Sequence, residues 1–393
     1  MKKIKFIFIF LFIFILFLIV SNKNKKNLSS NTYAIWVTRF DYSSIHDIHQ
    51  IVKNCHEMGF TDILFQVRGN GTVFFKSDYE PYAYELFSED SNYENLGWDP
   101  LQSAIDFCNI YDLRIHAYIN VLPGWKGTKD PPISNGNLWS KRKDLFMVDF
   151  YGDTMLPTTG WYTFLNPSHP EVISHLTNLC NELKNYDIDG LHLDYIRYPY
   201  DYHLSAKEIY PYASEQELRN RSNFSFDNIS LNKLISKYGE SWTEKDMINY
   251  KNNTISDLIY SMTSSYNDTD IILSASILAD PVESRMLAGQ DSVSWVKKSL
   301  LDWIIQMNYN SSKFNENLKK IINQLGLRST KDHLLIGMYC DKDNSSIKNE
   351  FNKIKKSNCR GYAFFSYGLL FNEHIINSKG KEVKKLIYKN ITQ

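Results

Sequence analysis

The sequence predicts a (β/α)8 TIM barrel with long loops after its third and fourth strands, and three observations lead there. Eight short β-rich runs recur along the chain, at residues 34–40, 62–68, 114–120, 190–196, 270–277, 301–309, 333–340 and 361–367. Segments of helical period separate them, the pattern that parallel βα units require. The length of 393 residues suits one barrel of roughly 250 residues enlarged by insertions, without a second core.

The elements between the strands carry their own signals. Residues 44–58 place Ile45, Ile48, Ile51, Val52 and Cys55 on one stripe, and Asp99 followed by Pro100 supplies a cap and a first-turn proline for residues 99–111. Cys55, Cys108 and Cys180 each fall on an apolar helical face, where a thiol behaves as a small hydrophobe. With Cys340 and Cys359 they make an odd set without metal-like spacing, so no disulfide framework is expected. Two connections, residues 121–187 and 197–269, are too long for simple βα loops. Both leave strand C-termini, the face on which barrel enzymes build their sites. The first carries Trp125, Trp139 and Trp161 and the second Tyr200, Tyr202, Tyr210 and Tyr212, so both are expected to wall a substrate cleft.

The chain opens with Lys2, Lys3 and Lys5, an unbroken apolar run over residues 6–20, and a polar stretch over 21–31. A charged start followed by an apolar core is the pattern of an export signal. Residues 1–22 are therefore expected to be a signal peptide or membrane anchor, 23–32 a polar linker and 33–393 the barrel. The basic end stays in the cytoplasm, which places the barrel outside, secreted or held to the membrane by the apolar segment. Lys+Arg and Asp+Glu both number 44, so the balance gives no electrostatic reason for a nucleic-acid partner and is compatible with a neutral substrate.

Strands buried on both faces should be nearly all apolar, yet five carry polar residues at one parity: Gln66 and Arg68, His116 and Asn120, His192 and Asp194, Ser274 and Ser276, Gln306 and Asn308. These are expected to point into the barrel, because unpaired burial of so many polar groups costs several kcal/mol. Asp194 is the sharpest of them. At the end of the fourth strand, held by His192 and by Arg197 or Arg68, a carboxylate can stay ionised and face a sugar anomeric carbon. Glycosidic hydrolysis ordinarily takes two carboxyl groups, ~5 to 9.5 Å apart depending on stereochemistry. Asp280, just past the fifth strand at the same parity, is the expected partner, with Glu283 and Asp41 as alternatives. Gln66, Arg68, Tyr118, Asn120, Trp125, His192, Arg197, Asn308 and Tyr309 are the expected substrate contacts, and Tyr118, Tyr309, Tyr339 and Trp125 offer flat faces for sugar rings. His46 and His49 find no third ligand in the pattern, and no phosphate-binding glycine motif occurs, so neither metal nor cofactor is expected.

Several blocks together resemble the glycosyl hydrolase-like family 10, bacterial barrel proteins distinct from the similarly numbered xylanases. They are Ala34-Ile-Trp-Val-Thr-Arg, Phe65-Gln-Val-Arg-Gly-Asn-Gly, Gly97-Trp-Asp-Pro-Leu, His116-Ala-Tyr-Ile-Asn, Leu165-Asn-Pro, Asp189-Gly-Leu-His-Leu-Asp-Tyr-Ile-Arg-Tyr-Pro, Met307-Asn-Tyr and Phe364-Phe-Ser-Tyr. The resemblance runs from residue 33 to about 372. It implies a substrate among cell-envelope glycans, some members being similar to enzymes that cut peptidoglycan strands stripped of their peptides. By likeness to amylase-like barrels, Asp194 would be the nucleophile and a fifth-strand acid the proton donor. The sequence-level expectation is thus a glycoside hydrolase acting on a bacterial polysaccharide outside the cytoplasm, with a non-catalytic glycan-binding barrel as the alternative.

Overall fold

The structure, a computed structural model, describes residues 32–87, 96–132 and 136–392. Eight parallel strands close a barrel: β1 (Thr32–Val37), β2 (Asp62–Arg68), β3 (Arg114–Asn120), β4 (Gly190–Asp194), β5 (Ile272–Leu278), β6 (Trp303–Met307), β7 (Leu334–Tyr339) and β8 (Gly361–Phe365). Each strand pairs with its sequence neighbours, and β1 pairs with β8 to close the ring. All eight expected strands are present, with ends displaced by no more than a few residues. The apolar run at residues 6–20 lies outside the described residues. Among the described residues no helix is long and apolar enough to cross a membrane.

The helices form where the sequence supplies both a stripe and a cap. Ile45–Met58 buries Ile48, Ile51, Val52, Cys55 and Met58, and Ser44 with Asp47 closes a capping box at its start. Pro100–Ile110 starts on an Asp99 cap with proline in the first turn. Pro170–Leu183 buries Cys180 with Leu176 and Leu179, so three cysteines sit on apolar helix faces as expected. The main core lies between this helical layer and the outward faces of the strands, with a smaller cluster of Ala34, Trp36, Leu64, Tyr118, Trp303, Ile305, Leu335 and Ala363 inside the barrel.

The long connections both leave the C-terminal end. After β3, Pro123–Lys126 pairs with Tyr162–Phe164 as an antiparallel ribbon, bringing Tyr162 over the barrel mouth before Pro170–Leu183 begins. After β4, short helical turns precede Asn228–Tyr238 and the 20-residue helix Glu244–Thr263.

The expected inward set needs two corrections. On β6 it is Trp303 and Ile305 that enter the barrel, so Gln306 and Asn308 face the helices. Gln306 donates to the carbonyls of Ala279 and Asn317, and Asn308 to that of Phe314, tying β6 to helix Phe314–Leu325. On β2 the register slips between Gln66 and Arg68, so Arg68 sits opposite Ile119, an outward residue, instead of continuing the inward row.

Candidate functional site

Inside the barrel the polar side chains are layered. At the N-terminal end Arg114 donates to both oxygens of Asp62 (2.7 and 2.6 Å) and His116 Nε2 lies 2.9 Å from Asp62 Oδ1. Burial pushes the Asp62 carboxyl up, but His116 and Arg114 outweigh it and hold the group well below the usual carboxylate range. Gly190 is required beside this cluster, since a Cβ there would fall 2.0 Å from the His116 ring.

One layer up, His192 is fully buried. Its Nε2 accepts from Trp36 Nε1 (3.2 Å) and lies 2.9 Å from Ser276 Oγ, while Nδ1 is 2.9 Å from Ser274 Oγ. Because Nε2 must accept from the indole, the proton belongs on Nδ1, which donates to Ser274. Burial, with a smaller contribution from His116, pulls its pKa down to about 3, so the ring is neutral. Its expected bond to Asp194 is replaced by an indirect link. The His192 ring meets the Tyr118 ring edge-on at 5.5 Å, and it is Tyr118 that donates to Asp194.

Asp194 stands at the mouth, 6% exposed. Oδ2 accepts from the Tyr118 hydroxyl (3.1 Å), Oδ1 accepts from the backbone N–H of Tyr195 (2.7 Å), and Arg197 Nη1 is 3.6 Å from Oδ1. Tyr195 adopts a φ of 50°, left-handed backbone that a bulky residue rarely takes, and this ends β4 directly after the carboxylate. The Tyr195 ring is held by Trp161, Tyr162 and Phe164 from the ribbon and by Arg197 over its face at 4.5 Å. Asn120 pairs with Asp194 across the β3–β4 ladder, and its buried Oδ1 has no hydrogen-bond partner among the described residues. Opposite, Tyr309, Tyr339 and Phe365 make a half-buried aromatic wall with centroids 5.6 to 6.3 Å apart.

Beside Tyr309 opens a cleft of about 340 Å³ whose lining includes Tyr200, Asp280, Glu283, Asn310 and Lys313. Asp280 lines it as the cap of helix Pro281–Leu287, accepting from the N–H groups of Val282 and Glu283 and from Lys320 Nζ at 2.7 Å. Burial pushes its carboxyl up, but Lys320 and the two N–H groups prevail and hold it below the ordinary range.

The structure thus brings Asp194, Tyr118, Asn120, Arg197 and Tyr309 to the mouth, with Gln66 close by, accepting from the N–H of Arg39 at 2.9 Å. It separates others from it. Arg68 is fully buried: Nε and Nη2 grip Glu80 (2.8 and 2.6 Å), and Nη1 donates to the carbonyls of Asn120, Val121 and Pro123. Every side of that guanidinium is occupied, and His175 reaches the same Glu80 at 2.9 Å. Asn308 is bonded to Phe314 and Asn317 away from the interior. Trp125 is 4% exposed, packs on Tyr84 and donates to the Lys129 carbonyl, so its face is not open to a sugar. Tyr118, equally buried, serves as a donor to Asp194 and not as a platform. Asp41 is tied to Thr38 beneath Gly368, between β1 and β8.

Four residues at the mouth carry no role in the sequence reading: Tyr195, Tyr162, Phe365 and Asp201. The Asp201 carboxyl has a buried Oδ1 without a partner among the described residues, and burial pushes its pKa up while Arg197 draws it down. Tyr195 and Phe365 lie in two of the blocks that carry the family resemblance, Asp201 is an acid seven residues beyond the strand-four aspartate, and Tyr162 sits in the long connection after the third strand.

A parallel barrel that presents a carboxylate, an arginine and an aromatic wall at its C-terminal mouth has the architecture of the barrel glycosidases. Residues 31–355 match the family described as Glycosyl hydrolase-like 10, and the chain belongs to that family. It is similar to glycosyl hydrolase YngK of Bacillus subtilis, 22% identical over 313 residues that make up 76% of this chain and 56% of that protein. It is similar to glycosyl hydrolase DigH of Escherichia coli, 27% identical over 144 residues, 36% of this chain and 32% of that protein. The matches therefore span about a third to a little over half the length of these relatives. Among solved structures, the catalytic domain of β-amylase from Paenibacillus polymyxa superposes with a TM-score of 0.64 at 10% identity, covering 92% of this chain and 98% of that one. The PgaB (BpsB) glycoside hydrolase domain from Bordetella bronchiseptica gives 0.56 at 14% identity, covering 91% and 99%. At these identities the likeness is one of fold.

Proposed function

We propose that this protein is a glycoside hydrolase acting outside the cytoplasm on a bacterial polysaccharide of the peptidoglycan type, with Asp194 as its catalytic carboxylate. The observation that carries the reading is the setting of Asp194. The group is nearly enclosed at the end of β4, oriented by the Tyr118 hydroxyl and the Tyr195 N–H, and faced across the mouth by Tyr309, Tyr339 and Phe365. Two donors fix the orientation of the carboxylate and an arginine stands 3.6 Å away, the setting of a group that must present one oxygen to a reacting carbon. An aromatic wall opposite suits a sugar ring, whose apolar face stacks on such surfaces. The family match and the naming of the relatives as glycosyl hydrolases support the same reading. The apolar run at residues 6–20 would provide export or a membrane tether.

The proton donor needs a carboxyl that keeps its proton near neutral pH. Asp280, held ionised by Lys320, suits a charged contact in the adjoining cleft better than that task. Asp201, whose carboxyl is pushed up by burial and drawn down by Arg197, suits the donor role better. The engagement of Asp280 is also what favours the second reading, a barrel that binds glycans without cutting them.

The test is incubation of residues 31–393 with glycan strands of peptidoglycan, with and without peptides, analysed by mass spectrometry beside Asp194→Asn, Asp201→Asn and Asp280→Asn. Fragments from the wild type that vanish in Asp194→Asn are expected. Intact strands bound but never cut by the wild type would leave the glycan-binding reading in its place.

A further inference from the structure

Arg39 follows β1 at the barrel mouth and is 6% exposed, yet its Nε and Nη1 have no hydrogen-bond partner among the described residues. Arg197, also 6% exposed, leaves the same two nitrogens without a partner. A buried guanidinium is costly unless its charge is matched, and Arg68 shows how this chain matches one when the purpose is structural. Glu85 lies 3.8 Å from Arg39 Nε with its side chain a third exposed, beyond hydrogen-bond distance. Arg197 shares Asp194 at 3.6 Å, also too far for a hydrogen bond.

The two arginines lie along one row. Arg39 faces the Tyr162 ring at 5.9 Å, Tyr162 meets Tyr195 at 5.6 Å, and Arg197 covers Tyr195 at 4.5 Å. Lys126 faces Tyr162 as well, at 5.5 Å. Three cations thus line one pair of aromatic rings in a chain whose overall charge is zero. Asp194 lies beside Arg197, 3.6 Å from its Nη1, whereas the carboxylate beside Arg39 is the partly exposed Glu85. The Arg39 guanidinium rests on Gly69, where a Cβ would come within 2.3 Å of Nη1. Only glycine leaves room for the guanidinium in this place.

We propose that Arg39, with Arg197 and Lys126 beside it, forms a subsite for a carboxylate carried on a sugar ring of the substrate. This rests on the glycosidase reading and narrows it to acidic glycans. A sugar hydroxyl would occupy one N–H; a carboxylate brings charge as well, adding to the 3.8 Å pair with Glu85, and its two oxygens fit the planar guanidinium fork. Two kinds of chain carry such a group: uronic-acid polymers, and peptidoglycan strands whose muramic-acid lactyl groups have lost their peptides.

The test uses both, as polygalacturonate oligosaccharides and as peptide-free peptidoglycan strands, each before and after carbodiimide and borohydride reduction of the carboxylates to alcohols. Cleavage by the wild type and binding by Asp194→Asn are measured. The expected result is a loss on the order of 10-fold or more on reduction of whichever chain is the substrate. The loss should disappear in Arg39→Gln and in Gly69→Ala, the latter displacing the guanidinium while keeping it in the protein. Equal action on native and reduced chains, or on neutral chitin oligosaccharides alone, would overturn the carboxylate subsite and leave the glycosidase reading standing. A preference for native chains that persists in both variants would overturn the assignment to Arg39. Failure to bind or cut any glycan would remove both readings together.

Discussion

The two ends of the barrel interior are built from similar residues to opposite effect. At the N-terminal end both oxygens of Asp62 are taken by charged or ring nitrogens, and His116 Nδ1 is left without a partner among the described residues. At the C-terminal end Asp194 is held by two neutral donors, with its arginine at 3.6 Å, while Arg197, Arg39 and Asn120 keep atoms without partners among the described residues. The contrast lies in the carboxylates: one gripped by a guanidinium maintains the fold, and one held only by neutral donors is left to meet a ligand. Residue type alone does not distinguish them; the partners of each carboxylate do.

The comparison can be broken most directly at Asp194. Asp194→Asn keeps an acceptor oxygen for the Tyr195 N–H and turns an amide N–H towards the Tyr118 hydroxyl, which can accept it, so chemical denaturation should show little change in stability, whereas hydrolysis should fall on the order of 10⁴-fold. A large stability loss would place Asp194 with the structural set. The converse is Asp62→Ala, which leaves Arg114 buried without its carboxylate and should destabilise the fold by about 3–5 kcal/mol. At a temperature where the variant is folded, its KM should match the wild type; an altered KM would tie the lower cluster to the site.

Acid should separate the layers further. His192 is neutral in the fold with a pKa of about 3, against about 6.5 when unfolded. Between those values the unfolded chain binds the extra proton, so stability falls as the pH drops through that window, by up to a few kcal/mol. Asp62, whose pKa is depressed, acts in the same direction at lower pH: its contribution is present above about 3.9 and lost as the pH falls through its folded value. Urea midpoints from pH 7 to pH 4 should show this slope, flattened in His192→Asn; an unchanged slope would assign it to other groups. The smallest effect is expected from Tyr118→Phe, which removes one donor from Asp194. Its kcat should fall about 10-fold with KM little changed. An unchanged kcat would show that the hydroxyl does not position the carboxylate.

The strands were legible because each is a short β-rich run between helix-period segments, and the cap at Asp99 with Pro100 marked one helix start from local chemistry alone. What escaped the sequence depends on side or on distance. Arg68 reads as inward by counting twos from Gln66, and only the bulge between them turns it outward. Gln306 and Asn308 share a strand with Trp303 and Ile305, and nothing in an alternation buried on both sides states which set enters the barrel. Asp280, expected as the partner carboxylate, caps a helix, and two N–H groups and Lys320 take up its oxygens. Tyr162 reaches Tyr195 through a ribbon between residues some forty positions apart, a pairing that composition does not announce.

The grip of Arg68 has a consequence for how this scaffold can be altered. Its contacts join β2, the first residues after β3 and, through Glu80 and His175, the helix that follows the ribbon. The base of the loop is therefore clamped on both sides, and the stretch between the ribbon strands is anchored as well: Asn137 donates to the carbonyls of Asn70 and Gly71, and Trp139, Leu145, Phe146 and Met147 are buried in the main core. An exchanged segment would have to reproduce those anchors and keep Arg68, Glu80 and His175. A library confined to exposed positions such as Phe150 would search specificity on a constant frame.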